Sequence, residues 1–150
     1  MTAVLQRISY CKVHVEGNEI SRTGVGLLLL LGIAADDTHD DTLWLLSKVL
    51  NMRIFNDDIG KMNLSLKDVG GELMIVSQFT LLANTKQGNR PSFALAAKPD
   101  IAHNIYQSFV NEAIAQWPDK VKTGIFGADM QVSLINDGPV TILIDTKNKK

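Results

Sequence analysis

The longest apolar run of the chain, LLLLLGIAA from Leu27 to Ala35, narrows its possible folds most. A membrane-spanning helix needs about 20 apolar residues, so this run is too short to be one. Preceded by Gly24 and Gly26, it reads as a buried strand.

Other segments supply companions for it. AVLQRIS, residues 3–9, reads as a first strand. CKVHVEG follows with clean alternation, which sends Cys11, Val13 and Val15 one way and Lys12, His14 and Glu16 the other. Gly17-Asn18 makes a turn. Asp37 or Thr38 caps a helix that carries Leu43, Leu46 and Leu50 and runs to about Met52. RIFNDDIGKMNLSLKDVGG reads as loop and short turns, and Gly70-Gly71 launches the apolar strand ELMIVSQFTLL. ANTKQGNRPSF is a long exposed loop. Asp100 caps a second helix, with Ile101, Ile105, Phe109, Val110 and Ile114 on one face, which stops at Trp117-Pro118. KVKTGIF, DMQVSLI and VTILID are short strands, the last two resembling a pair joined at Asn136–Thr141. Residues 146–150 are expected to fray. Strands outnumber helices without regular alternation, which points to an α+β fold in one domain, 1–150.

Several chemistries are excluded. The net charge of -1 gives no global field for polyanions, so nucleic-acid binding needs a local patch. One cysteine, Cys11, permits no internal disulfide and suits a reducing compartment. MTAVLQRISY lacks the pattern of a signal peptide, so a cytoplasmic location is expected. His14, His39 and His103 have no partners at metal-ligand spacing and read as surface residues. There is no GxSxG elbow and no Walker loop, and Gly24 and Gly26 form a bare GxG. The acid pairs Asp36-Asp37, Asp40-Asp41 and Asp57-Asp58 read as caps and turns. No metal or cofactor is expected.

Two stretches resist so plain a reading. SQFTL, Ser77 to Leu81, interrupts an apolar strand with polar residues, either as an edge strand with alternating polar positions or as a site at a strand end. NDGPVT, Asn136 to Thr141, begins with good hairpin chemistry and then places a proline where the returning strand should start. A proline there forfeits a ladder donor and leaves nearby carbonyls free to face something else. Beside SQFTL, the span Leu73–Pro99 contains Lys86, Arg90 and Lys98 and no acid. It is either a solvated loop or a local phosphate-binding edge.

SQFTL and NDGPVT, with GADMQVSL before the second, resemble the signature motifs of the D-aminoacyl-tRNA deacylases, the D-tyrosyl-tRNA deacylase family. AVLQRIS, LLLLLGIA, LNMRIFNDDIGKMN, DVGGEL, RPSF and TILID resemble the family in order and spacing, from the N-terminus to about Asp145. Leu82 stands where many members have an aromatic residue and Asn84 where many have an acid.

The resemblance implies mixed, barrel-like sheets with two main amphipathic helices packed outside, in a homodimer. It implies a hydrolase for the ester between D-amino acids, or glycine, and the 3′-terminal adenosine of tRNA. Gly138-Pro139 would be cis and inserted into the partner's site, where its carbonyls reject an L side chain and admit a D one. Arg7 would support that segment, and Met130 would join Gly138, Pro139 and Arg7 in binding substrate. Backbone N–H groups at Phe79 and Thr80 would hold the oxyanion, with Ser77 and Gln78 shaping the site. Phe79 reads equally as a core aromatic. Thr80 is either a covalent nucleophile, for which the sequence places no activating base nearby, or a residue that positions water activated by the ribose 2′-hydroxyl, the reading favoured here.

Overall fold

The apolar run becomes strand β3 (Gly26–Gly32), and its side chains divide between two cores. The computed structural model describes residues 1–149. Leu27, Leu29 and Leu31 enter one cluster, Leu28 enters the other, and Leu30 packs against the second. Successive strand residues point to opposite faces, so five consecutive leucines suit a strand covered on both sides. β6 (Glu72–Ser77) pairs parallel to β3 and divides in the same way, with Leu73 and Ile75 on one side and Met74 and Val76 on the other.

Around this pair the sheet nearly closes. AVLQRIS and CKVHVEG merge into one long strand, β1 (Thr2–Val15). β3 and then β2 (Asn18–Thr23) pair in succession with β1, and β8 (Gln131–Asp145) pairs antiparallel along nearly its whole length. β7 (Val121–Thr123) lies parallel to β6, and the Ser21 hydroxyl on β2 donates to the Thr123 carbonyl at 2.7 Å. That bond joins the two ends of the path β2-β1-β3-β6-β7. Ile8, Cys11, Val13, Leu28, Met74 and Val76 fill the interior of the resulting barrel-like sheet. Burial pushes the Cys11 thiol up to about 11.

The larger cluster lies between the outer face and the helices α1 (His39–Asn51), α2 (Leu66–Val69) and α3 (Pro99–Gln116). The fold is α+β, as expected. Thr38 caps α1 in a capping box: its hydroxyl accepts from the Asp41 N–H, and the Asp41 carboxylate accepts from the Thr38 N–H at 2.9 Å. In α3 the expected cap shifts. Lys98 is the N-cap, Pro99 opens the helix, and Asp100 lies within its first turn. Proline suits this position because the first N–H groups of a helix have no partner within it. The buried face of α3 carries Ala102, Tyr106, Phe109, Val110 and Ala113, while Ile101 and Ile114 face outward. The Tyr106 hydroxyl donates to the Ile75 carbonyl at 3.0 Å and ties α3 to β6.

Three further expectations change. RIFNDDIGKMNLSL contains a small antiparallel pair, β4 (Phe55–Asn56) and β5 (Met62–Leu64). DMQVSLI and VTILID do not form a hairpin. They are consecutive parts of β8 and both pair with β1, because the chain bulges at Asn136–Thr141 without reversing. The fraying expected from residue 146 does not begin there. Thr146 is buried, its hydroxyl accepts from the Met1 amino group at 2.6 Å, and Lys147 Nζ donates to the Asp41 carboxylate at 2.8 Å. Lys150 lies outside the described residues.

Candidate active site

β6 stops at Ser77, its last partner across β3 being Leu31. The Gln78 N–H still donates to the Leu31 carbonyl at 2.8 Å, but the chain then tightens into a 3₁₀ turn, Phe79–Leu82. ELMIVSQFTLL is therefore a strand only as far as Ser77. Gly32 makes room for the departure, since a Cβ there would lie 2.9 Å from the Gln78 carbonyl oxygen. The N–H groups of Phe79 and Thr80 open the turn, where helical geometry offers them no partner. Among the described residues they donate to nothing else. The Gln78 amide Nε2 donates to the Thr80 hydroxyl.

Beside this turn is a cavity of about 590 Å³. Ser77, Gln78 and Phe79 form one wall, and Met130 and Val132 another. Met130 sits close over Gly124, where a Cβ would approach its sulfur to 2.5 Å. Phe93, from the otherwise polar loop ANTKQGNRPSF, also lines the cavity and meets Phe79 edge-on at 5.1 Å between ring centroids. Phe79 is 56% exposed, so it is not a core aromatic. Among the described residues the only charged side chain in the lining is Lys98, with no acid, histidine or cysteine. The cavity can therefore offer apolar surface, amide and hydroxyl hydrogen bonds and one cation. It contains no general base of its own.

Arg7, Gly138 and Pro139 form a second group that does not line this cavity. Arg7 pairs with Leu27 on β3, whereas Ser77 pairs with Leu31. Four residues of strand separate the two levels by about 13 Å. The Arg7 guanidinium is buried. Its Nε donates to the Asp137 carbonyl at 2.9 Å and its Nη1 to the Ile54 carbonyl at 2.8 Å. Opposite it, β1 and β8 lose register between the pairs Gln6–Thr141 and Ile8–Asn136. The intervening Asp137, Gly138 and Pro139 are exposed. The Asn136 side chain braces the foot of this bulge, accepting from the Val140 N–H at 2.8 Å and donating to the Thr141 hydroxyl at 2.8 Å. The Gly138-Pro139 peptide bond is cis, and Gly138 has φ +140°, a conformation that L side chains rarely adopt.

Of the residues singled out in the sequence, Ser77, Gln78, Phe79 and Met130 share the cavity, with Thr80 joined to it through Gln78. Arg7, Gly138 and Pro139 stand apart in the same chain. The segment RPSF, one of the motifs shared with the family, is the sequence signal that carries Phe93.

Comparison with known proteins spans nearly the whole chain. Residues 4–145 match the family model described as D-Tyr-tRNA(Tyr) deacylase. Proteins named D-aminoacyl-tRNA deacylase from Flavobacterium psychrophilum and Cytophaga hutchinsonii are each 54% identical over 150 residues, covering 100% of both chains. A solved structure named c-Myc DNA Unwinding Element Binding Protein superposes with a TM-score of 0.92 at 41% identity, covering 97% of this chain and 98% of that one. A probable eukaryotic D-amino acid tRNA deacylase superposes with a TM-score of 0.84 over 96% of this chain and 99% of that one, at 18% identity, a likeness of fold alone. Matched across nearly its full length, the chain belongs to the D-Tyr-tRNA(Tyr) deacylase family.

Proposed function

We propose that this protein hydrolyses the ester between a D-amino acid and the 3′-terminal adenosine of tRNA and leaves L-aminoacyl-tRNA intact. The observation that carries the reading is the turn at the end of β6. It sets two unpartnered N–H groups, at Phe79 and Thr80, beside a cavity whose lining, among the described residues, holds no carboxylate or histidine. These donors suit the negative charge that develops on an ester carbonyl under attack. In known enzymes, loss of one such donor costs about 10²–10³ in rate.

The attacking water needs a base, and the cavity wall offers none. The ribose 2′-hydroxyl beside the ester takes that role. Water oxygen bonds to the carbonyl carbon as a water proton passes to the 2′-oxygen, and the bond from that carbon to the 3′-oxygen breaks as the 2′-hydroxyl passes its own proton to the leaving 3′-oxygen. Thr80, oriented by Gln78, positions the water, and Ser77 supplies a further hydrogen bond at the wall. Met130 lies against the amino-acid end of the substrate.

Stereochemistry is assigned to Gly138 and Pro139 of a second copy of the chain. Their distance from the cavity in their own protomer, and their exposure on a braced bulge, support delivery across a dimer interface. Carbonyls presented by main chain would clash with an L side chain and tolerate a D side chain, and glycine, having none, would also be admitted. Arg7 steadies the segment from below. Such an activity proofreads chirality in translation and belongs where charged tRNA is used, in the cytoplasm. Among the described residues no helix is long and apolar enough to cross a membrane.

A second reading, a nucleic-acid-binding dimer without chemistry, is favoured by one observation, the name of the 41% identical structure. Incubating the purified protein with D- and L-tyrosyl-tRNA separates the two. Release of D-tyrosine alone is expected, and tight tRNA binding without turnover of the D-form would favour the second reading.

A further inference from the structure

The loop that follows the 3₁₀ turn holds a feature that the hydrolytic site does not use. Asn84 and Ser92 close its base through two backbone hydrogen bonds, of 2.7 and 3.0 Å. The Asn84 carboxamide oxygen accepts from the Lys86 N–H at 3.0 Å, and Gly88 turns the tip with φ +67°. Inside this frame is a hollow of about 380 Å³ lined by Asn84, Lys86, Gln87, Arg90 and Ser92. Every lining residue is polar or cationic. Lys86 and Arg90 are exposed and enter no ion pair among the described residues. No acid occurs from Leu73 to Pro99, so nothing within that stretch neutralises them. In a chain of net charge -1, two free cations in a polar hollow are a local exception to the overall balance.

The hollow and the cavity are lined by consecutive residues of one segment. Ser92 lines the first and Phe93, the next residue, lines the second. One residue step is about 3.8 Å, less than the spacing of successive nucleotides along an extended strand. A strand whose 3′ end enters the cavity along this segment meets the hollow within a few nucleotides. Arg and Lys with amide and hydroxyl donors are the groups that hold phosphodiester oxygens.

We infer that the loop Asn84–Ser92 is a separate binding site for the RNA backbone, gripping through Lys86 and Arg90 the phosphates just upstream of the terminal adenosine; this rests on the deacylase reading for what fills the cavity. The site contributes affinity and register and takes no part in the ester chemistry.

The test compares the wild type with the double variant Lys86→Ala/Arg90→Ala on D-tyrosyl-tRNA and on D-tyrosyl-adenosine, which has the same ester and no phosphate. The expected result is a KM for D-tyrosyl-tRNA raised about tenfold, with kcat within about twofold and D-tyrosyl-adenosine hydrolysed as before. Binding of uncharged tRNA, followed by fluorescence anisotropy across a salt series, should lose about 0.7 from its log–log slope for each cation removed. Lys86→Arg/Arg90→Lys should restore both readouts. A wild-type KM together with a wild-type salt slope overturns the inference. So does equal impairment on both substrates, which would mean a structural role. Displacement of tRNA by inorganic phosphate at concentrations where sodium chloride has no effect would reassign the hollow to free phosphate. If the wild type hydrolyses neither ester, the deacylase reading fails by itself, and the anisotropy series still decides the phosphate site.

Discussion

Arg7 Nε donates to the Asp137 carbonyl at 2.9 Å, across the gap where β1 and β8 lose register. The same guanidinium reaches the Ile54 carbonyl, so one buried cation fixes two backbone segments that no strand ladder joins. The bulge carrying Gly138 and Pro139 is therefore set by a side chain on β1, a strand that also pairs with β3 at the heart of the barrel.

Replacing Arg7 should release that bulge. A hydrogen bond to a charged group contributes about 1.5–3 kcal/mol, and the two to main-chain carbonyls are lost together, with a longer one to Asn56 Oδ1 at 3.4 Å, without being additive. Arg7→Ala is expected to cost about 2–4 kcal/mol in urea unfolding. Arg7→Lys should recover less than half of that, because a single ammonium cannot reproduce the fork that addresses both carbonyls. Discrimination against L-tyrosyl-tRNA should weaken in both variants. Wild-type unfolding midpoints for Arg7→Ala would show that the bulge holds its place without the guanidinium.

Glycines in this chain differ sharply in what a methyl group would meet. At Gly26, where β3 begins to pair with Glu72 of β6, a Cβ would lie 1.8 Å from the Glu72 carbonyl oxygen. Neither backbone can retreat without parting the central parallel pair. Gly26→Ala is expected to leave little folded protein, a loss beyond about 4 kcal/mol. Gly60 has φ +80° but open space around it, and Gly60→Ala should cost only about 1–2 kcal/mol. Circular dichroism melts of the pair check the order. Similar melting temperatures would mean that β3 and β6 adjust far more easily than their register suggests.

How much of this was readable in the residues depends on the range of the interaction. The leucines of β3 declare a buried strand by composition, and the acids after Ala35 declare a helix start, although only the structure chooses Thr38 over Asp37 as its cap. On α3 the expected face holds at Phe109 and Val110 but not at its ends, where Ala102 and Ala113 are buried and the larger Ile101 and Ile114 face outward, a choice that side-chain size alone does not reveal. The continuity of β8 was hidden because its partner, β1, is more than a hundred residues away and nothing local distinguishes a bulge from a hairpin at Asn136–Thr141. At the site, the polar break Ser77–Thr80 was visible, but only the Leu31–Ser77 register shows that the strand ends there. Phe93 lay in a polar loop whose folding back onto Phe79 is a tertiary event.

Thr80 provides the sharpest test of the chemistry. Its hydroxyl is held by the Gln78 amide and has no acid or histidine in the cavity lining to activate it. If it only positions water, Thr80→Ala should lower kcat about ten- to a hundredfold, since modest misplacement of a reactant costs up to about 10². D-tyrosyl-tRNA ending in 2′-deoxyadenosine should then be nearly inert with the wild type. Single-turnover assays on both substrates decide the matter. Complete loss with Thr80→Ala and full activity on the deoxy substrate would make Thr80 the nucleophile.

Asp41 makes the acid limb of stability predictable in sign. Burial alone would raise its carboxyl, but hydrogen bonds from Lys147, from the Thr38 N–H and hydroxyl, and from Thr146 outweigh that and hold it well below its ordinary 3.8. The folded state therefore binds this proton less readily than the unfolded chain does. The contribution is complete above the unfolded value of 3.8 and disappears as pH falls through the lower folded value. Asp41→Asn keeps the shape and removes the charge, leaving Lys147 and the Thr38 N–H with a poorer acceptor. Its melting temperature should lie below that of the wild type by a constant gap above about pH 5, and the gap should shrink as the wild type is titrated below 3.8. Thermal melts at stepped pH measure it directly. A gap that stays unchanged to the most acid point would assign the loss to geometry at the helix cap and remove the carboxylate's charge from the account.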